Sequence, residues 1–245
     1  MHPDRRRCAP AQLWAVALLC LIAGALGAPV GPAAASQPIP ERGVAILLYH
    51  RFGPTVADSM TITTAVFESH LRFLRDNGYT VIPLRALVDW VRGTGPPPPP
   101  RSVAITVDDA HRTVFTDMLP LVIRYRVPVT LFVYPSAISN ASYAMTWEQL
   151  RQLHQTGLFD IQSHTFWHPN FKVEKRRLTP DAYAKLVNTQ LLKARAAIKQ
   201  HLGVDVDMLA WPFGIHDQEL IDHAVRAGYV AAFTIERGRA GRLTT

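Results

Sequence analysis

Seven short apolar runs alternate with segments of helical periodicity from residue 43 onward, and this alternation constrains the fold most. The runs are mostly continuous, which is typical of parallel strands buried on both faces. They predict strands over 44–49, 79–82, 103–107, 129–134, 159–163, 208–211 and 229–235. Helices are predicted around Phe67, Leu71 and Leu74, before a stop at Gly78, and over 84–91, 114–126, 146–156, 180–201 and 217–227. One α/β domain is expected, either a β/α barrel or an open doubly wound sheet.

The N-terminal segment has the pattern of a secretory signal peptide. Arginines at 5–7 precede an apolar run over 13–28, and three alanines at 33–35 follow. A transmembrane anchor is the alternative, but the run is shorter than the roughly 20 residues that span a bilayer. Both cysteines, Cys8 and Cys20, fall in this segment. We therefore expect residues 1–35 to be a leader and 36–245 an exported periplasmic or extracellular domain, without disulfides and without stable membrane insertion after cleavage.

Composition and charge exclude several classes of protein. The chain is 48% hydrophobic and 18% charged, which is a globular rather than a disordered composition. The formal net charge is +7, and it falls to +5 without the leader's three arginines and one aspartate. The remaining charges are spread along the chain, so nucleic acid is not an expected partner. The oligomeric state is not indicated.

Polar residues follow three of the predicted strands, and the segment 212–214 (Pro-Phe-Gly) follows a fourth, at the carboxyl edge where α/β proteins place their sites. His50 follows the first strand, Asp108 and Asp109 follow the third, and His164 follows the fifth with His168 four residues later. Two imidazoles and one carboxylate can hold a divalent metal ion with positions left open, which is typical of catalytic sites. Adjacent carboxylates at the end of an extended strand point in different directions. One of the two is therefore expected to bind metal while the other faces substrate and water.

Three segments in this order resemble the motifs of one family. Residues 106–109 (Thr-Val-Asp-Asp), 164–168 (His-Thr-Phe-Trp-His) and 211–214 (Trp-Pro-Phe-Gly) are similar to motifs of the polysaccharide deacetylases, the NodB-homology or carbohydrate esterase family 4 domain. Residues 46–50 (Ile-Leu-Leu-Tyr-His) resemble the branch that deacetylates poly-β-1,6-N-acetylglucosamine. The resemblance covers roughly residues 43–235 and implies a distorted (β/α) barrel of about seven strands.

The resemblance also implies a role for each strand-end residue. Asp109, His164 and His168 would hold a divalent ion, usually zinc, although another divalent transition metal would fit the same residue types. Asp108 would be the general base and His50 the general acid.

Further positions would contact the substrate. The backbone N–H of Phe213 would contribute to the oxyanion hole, and Trp211 or Trp167 would line the sugar groove. The implied reaction is hydrolysis of N-acetyl groups from a poly-β-1,6-N-acetylglucosamine-type polysaccharide, which releases acetate. The alternatives are a peptidoglycan or chitin-oligomer deacetylase, and a non-catalytic carbohydrate-binding or assembly protein on the same fold.

Two positions depart from the family pattern. Ala110 stands where many members have glycine, and that glycine serves a backbone angle that alanine tolerates poorly. Ala210 stands where many members carry an arginine that orients the base, so the partner of Asp108 is unidentified.

Other polar residues are expected to have structural positions. We expect His111 to be a loop residue, Asp217 to cap a helix, and the basic residues of 172–177 to lie in a solvated loop.

Overall fold

The computed structural model describes residues 43–241 of the protein. The predicted leader at 1–35, both cysteines and Thr245 lie outside the described residues. The strands are β1 Ala45–Tyr49, β2 Arg51–Gly53, β3 Thr61–Thr63, β4 Thr80–Val81, β5 Ser102–Val107, β6 Val129–Val133, β7 Phe159–Ser163, β8 Met208–Ala210 and β9 Ala231–Phe233. The α-helices are α1 Thr64–Asp76, α2 Leu84–Arg92, α3 Leu119–Tyr125, α4 Trp147–Gln155, α5 Phe171–Arg177, α6 Pro180–Leu202 and α7 Gln218–Arg226.

Seven of these strands form one parallel sheet that curls into a half-barrel. The order across the sheet is β1-β5-β6-β7-β8-β9, and β4 pairs with the start of β5. Within residues 43–241 no ladder joins β9 to β1; instead Val44 and Ala240 form an isolated antiparallel bridge across that gap. All six residues of β5 are buried, as expected for a central strand covered on both faces. The predicted seven-stranded α/β architecture is thus confirmed.

The helices begin where the sequence supplies capping side chains. Thr63 and Thr179 accept hydrogen bonds from the backbone N–H groups of Val66 and Ala182, at the starts of α1 and α6. Thr146 and Gln149 form a reciprocal capping box at the start of α4. These caps satisfy N–H groups that the first helical turn leaves unpaired.

Three local expectations were wrong or incomplete. The segment 172–177, expected to be a loop, belongs to helix α5, because Asn170 caps the first turn of that helix and Phe171 is fully buried. The helix predicted over 114–126 is divided into a π-helical turn at Val114–Met118 and α3. The short parallel pair β2 and β3 was not predicted, because three-residue strands leave too little pattern to detect.

In the part of the chain that the structure describes, no helix has both the length and the hydropathy that a bilayer-spanning segment needs.

Candidate active site

The candidate residues converge at the carboxyl edge of the half-barrel. His50 follows β1, Asp108 follows β5, His164 follows β7 and Trp211 follows β8. These strands lie side by side in the sheet apart from β6, which separates β5 from β7. The end of β6 contributes Tyr134, whose ring centroid is 5.3 Å from that of His168. Five strand ends therefore surround one site.

The tautomer of His164 is set by a backbone hydrogen bond. The His164 Nδ1–H group donates to the Ala210 carbonyl oxygen at 2.8 Å, which leaves Nε2 with a free lone pair. Burial, together with a smaller effect of the neighbouring His168, lowers the pKa of His164 to about 3. A neutral imidazole with a fixed Nε2 is the form that ligates metal ions.

Asp109, His164 and His168 form a compact set of possible metal ligands. Asp109 Oδ1 lies 3.6 Å from His164 Nε2 and 3.7 Å from His168 Nε2. The ligand atoms of the three residues all lie within 4.8 Å of one another. These spacings exceed hydrogen-bond length but are close to the ~3.4 Å expected between two atoms that share one tetrahedral ion at about 2.1 Å. The arrangement therefore fits a divalent metal.

Asp108 is a buried carboxylate beside this set. Its Oδ2 lies 3.9 Å from His164 Nε2, and its Oδ1 is buried without a hydrogen-bond partner among residues 43–241. Burial raises the pKa of Asp108 well above the usual carboxyl range, and the Asp109 carboxylate raises it further. A carboxylate with a raised pKa is a stronger base than one in water, which suits proton abstraction.

His50 shares the same environment. Burial lowers the pKa of the His50 imidazole, while the negative charge of Asp109 opposes that change. His168 responds in the same way, since burial lowers its pKa and Asp109 raises it. The single carboxylate of Asp109 therefore faces two partly buried imidazoles in addition to His164.

A cavity of about 740 Å³ opens over these side chains, and aromatic rings form part of its wall. The Tyr134 and Tyr143 hydroxyl oxygens are 2.6 Å apart. The His168 ring centroid is 5.3 Å from that of Tyr134 and 4.6 Å from that of Phe213. These pairwise contacts join Tyr143, Tyr134, His168 and Phe213 into one row of contacting side chains in the cavity wall, and the first and last of them are exposed.

The sequence analysis missed both tyrosines. Tyr134 had a detectable signal, because it closes a predicted strand and so falls at the carboxyl edge of the sheet. Tyr143 lies in an irregular segment between β6 and α4, and no sequence pattern marks it.

The three predicted substrate-contacting residues occupy different positions. Phe213 lines the cavity, is 55% exposed, and has a positive φ of 57°. Trp211 also lines the cavity but is only 2% exposed and packs edge-on against Phe171. Trp167 is 45% exposed and is not among the residues that line the cavity.

The other predicted polar residues have identifiable partners. His111 Nδ1 lies 2.9 Å from Thr113 Oγ1, and His111 is outside the set of possible metal ligands. Asp217 caps α7 by accepting from the Leu220 N–H at 2.9 Å, as predicted. Lys175 of α5 pairs with that same Asp217 at 2.7 Å.

Comparison with known proteins decides the family. The family model described as polysaccharide deacetylase matches residues 95–232, more than half of the chain. The chain belongs to the polysaccharide deacetylase family. It is 23% identical over 242 residues to the poly-β-1,6-N-acetyl-D-glucosamine N-deacetylase of Escherichia coli K12, an alignment that covers 84% of this chain and 36% of that protein. The chain thus spans about a third of the length of this relative.

Solved structures show the same fold. The structure of IcaB from Ammonifex degensii superposes with a TM-score of 0.72 at 23% identity, covering 82% of this chain and 87% of that one. The Streptococcus pyogenes deacetylase PplD, solved with acetate, superposes with a TM-score of 0.71 at 19% identity, covering 80% of this chain and 85% of that one. The half-barrel is therefore the fold of these deacetylase structures.

The two residues of this polysaccharide deacetylase family member that depart from the family motifs, Ala110 and Ala210, both lie beside the site. Ala110 is fully buried and has a positive φ of 56°, the conformation in which glycine avoids a steric penalty. Ala210 provides its carbonyl oxygen to His164, but its methyl side chain offers no hydrogen bond to Asp108. No other described residue supplies that bond, since Oδ1 of Asp108 is unpartnered.

Proposed function

We propose that this protein is a metal-dependent N-deacetylase that removes acetyl groups from an N-acetylglucosamine polymer of the β-1,6-linked type. The observation that carries the proposal is the convergence of Asp109, His164 and His168 beside the buried, unpartnered carboxylate of Asp108. The printed names of relatives, such as that of the Escherichia coli enzyme, support the substrate class.

Asp109, His164 and His168 would hold the ion, and zinc is the proposed metal. Two neutral imidazoles and one carboxylate form the donor set that zinc takes in catalytic sites with an open position. A divalent ion held there supplies Lewis-acid polarisation of the acetamide carbonyl and lowers the pKa of water.

The protein's own groups move the protons. Asp108 accepts a proton from the water molecule that attacks the acetamide carbon, since its buried carboxylate is basic and faces the cavity. His50, at the end of β1, donates a proton to the departing glucosamine nitrogen. The backbone N–H of Phe213 donates a hydrogen bond to the oxyanion that develops on the carbonyl oxygen. The carbon–nitrogen bond breaks, acetate leaves, and no covalent bond to the protein is formed.

The aromatic row fits a carbohydrate substrate. Amphipathic and apolar rings are suited to the apolar faces of sugars, and the exposed rings of Tyr143 and Phe213 lie at either end of the row. An acetylated sugar placed over His168 would therefore have neighbouring sugars over these two rings. Residues 1–35 would direct the domain, residues 36–245, to the periplasm or the cell exterior, where such polymers are found.

Acetate release from defined oligomers tests this function. The full chain is incubated with β-1,6-linked and β-1,4-linked N-acetylglucosamine oligomers, with zinc and with chelator, beside Asp108→Asn. Asp160→Asn is the matched control, because Asp160 is a partly buried carboxylate that accepts a hydrogen bond from Gln162 in β7, away from the cavity.

Zinc-dependent release that Asp108→Asn abolishes and Asp160→Asn retains would support the deacetylase. The faster oligomer series would identify the linkage. A folded, zinc-loaded protein that releases no acetate from either series would contradict the proposal and leave a carbohydrate-binding protein on this fold.

A further inference from the structure

A buried side chain of helix α6 holds the segment that carries two of the three possible metal ligands. Gln190 is 3% exposed, and its Oε1 accepts a hydrogen bond from the Trp167 backbone N–H at 2.9 Å. Trp167 directly precedes His168 in the segment 164–168. Gln190 therefore holds the backbone of the residue that precedes the possible ligand His168, although Gln190 does not line the cavity.

This segment needs such support because its backbone is strained. Thr165 and His168 have positive φ values of 65° and 61°, a left-handed conformation that costs non-glycine residues about 1–2 kcal/mol each. Local contacts within the segment are long, since the His168 N–H donates to Thr165 Oγ1 at 3.2 Å and the Thr165 N–H to Ser163 Oγ at 3.3 Å. The shorter bond from Trp167 to Gln190 ties the strained turn to a 23-residue helix.

The rest of the segment is fixed by contacts that do not involve Gln190. The His164 N–H donates to the Val133 carbonyl oxygen at 2.8 Å, and the Phe166 carbonyl oxygen accepts from the Ser136 N–H at 2.9 Å. These bonds hold the first half of the segment against the end of β6. Gln190 is the side chain that holds the second half, where His168 must present Nε2 to Asp109.

We propose that Gln190 is a positioning residue that fixes the His168 imidazole for metal binding through the Trp167 N–H. The inference rests on the metal site of the proposed function. Substituting the acceptor leaves a backbone N–H unpaired and lets the left-handed turn relax, so the imidazole loses its direction toward Asp109. Residues that orient metal ligands contribute about 10- to 100-fold to metal affinity, and Gln190 is expected to act in that range.

Three variants of the full chain separate positioning from simple packing. Gln190→Met keeps the length of the side chain but removes the acceptor, whereas Gln190→Glu keeps an acceptor oxygen at the same reach. Lys193→Met is the matched control from the same helix, because Lys193 Nζ lies 4.1 Å from the Phe166 ring centroid and leaves no buried N–H unpaired when it is removed. Zinc affinity of each metal-free protein is measured by competition with a chromogenic chelator.

We expect zinc affinity to fall about 10- to 100-fold in Gln190→Met, and to stay within about 3-fold of the parent protein in Gln190→Glu and Lys193→Met. Equal zinc affinity in Gln190→Met and the parent would overturn the positioning role. A parent protein that binds no zinc would instead contradict the proposed function, so the two failures are distinguishable.

Two measurements keep the test decisive if Gln190→Met does not fold. Gln190→Asn then replaces it, since a side chain one methylene shorter cannot reach the Trp167 N–H, and the same loss of affinity is expected. Amide hydrogen exchange in the metal-free parent should show a protected Trp167 N–H. Exchange at the rate of an exposed amide would overturn the inference.

Discussion

Replacing Asp108 by asparagine should make the metal-free protein more stable while it removes the proposed activity. Asp108 is 5% exposed, and one of its side-chain oxygens has no hydrogen-bond partner among the described residues. A buried ionised carboxylate without compensating hydrogen bonds is unfavourable relative to water. Asparagine has nearly the same shape and carries no charge, so the substitution removes the part of this penalty that is due to the charge.

The size of the effect follows from the contacts of the two oxygens. An unsatisfied buried polar group costs about 1–3 kcal/mol, and more when it is charged. The other oxygen, Oδ2, is 3.9 Å from His164 Nε2, beyond hydrogen-bond reach, so asparagine gives up no hydrogen bond there. We expect Asp108→Asn to raise the free energy of unfolding by about 1–3 kcal/mol. For a domain of this size, the melting temperature should rise by about 2–4 °C for each kcal/mol.

Urea unfolding of chelator-treated protein measures the free energy, and acetate release from zinc-loaded protein measures the activity. Loss of a general base is expected to lower the rate about 100- to 10,000-fold. Asp160→Asn is the control for both measurements and should change stability by less than about 1 kcal/mol, because Asp160 already accepts a hydrogen bond at 2.9 Å. A stability of Asp108→Asn equal to or below that of the parent would refute the reasoning about the unpartnered carboxylate.

Three further outcomes are expected. Zinc at about 1,000 times its dissociation constant should stabilise the fold by about 4 kcal/mol, which a thermal-shift assay measures. Asp109→Ala should eliminate this stabilisation. A thermal shift that persists in Asp109→Ala would show that the ion binds elsewhere. Tyr143→Ala should raise KM for oligomers about 2- to 12-fold with little change in kcat, because an aromatic contact contributes about 0.5–1.5 kcal/mol. A fall in kcat without a change in KM would contradict a role of Tyr143 in substrate binding. Tyr229→Phe should lower the free energy of unfolding by about 1–3 kcal/mol. The buried Tyr229 hydroxyl lies 2.8 Å from Ser163 Oγ and donates to the Leu191 carbonyl oxygen at 3.1 Å. An unchanged urea midpoint would contradict this loss of stability.

The sheet could be predicted from the sequence because its strands carry a strong local signal. The predicted strand 159–163 has the bounds of β7, and the predicted strand 103–107 ends where β5 ends and lacks only its first residue, Ser102. What could not be predicted is the pairing of β4 with β5 and the bridge between Val44 and Ala240, since both depend on contacts between residues far apart in the chain. Helix α5 was missed because its basic residues dominate the pattern and only Phe171 marks a buried face.

The grouping of polar residues in the site was predictable for a similar reason. Parallel strands bring their carboxyl ends to one edge, so His50, Asp108 and His164 had to approach one another once the strands were identified. The distances between these side chains, and the directions in which they point, do not follow from the strand pattern. The hydrogen bond from His164 to the Ala210 carbonyl oxygen involves a backbone group, which no residue type reveals. Gln190 lies on a long helix, and only the structure shows that it is buried and that it accepts a hydrogen bond from the Trp167 N–H.

Several residues of the site have strained backbone conformations, which contacts of this kind hold in place. Five of the eight non-glycine residues with positive φ in residues 43–241 lie in the segments that follow β5, β7 and β8: Asp109, Ala110, Thr165, His168 and Phe213. At about 1–2 kcal/mol each, their left-handed conformations together cost on the order of 5–10 kcal/mol. Such a concentration persists only where the surrounding structure fixes the backbone, and strained residues of this kind cluster at functional sites. The hydrogen bond from the Met145 N–H to the Ala110 carbonyl oxygen at 3.0 Å and the bond to Gln190 are contacts of that type. The strain therefore marks, through backbone geometry alone, the same three strand ends that carry the chemically suited side chains.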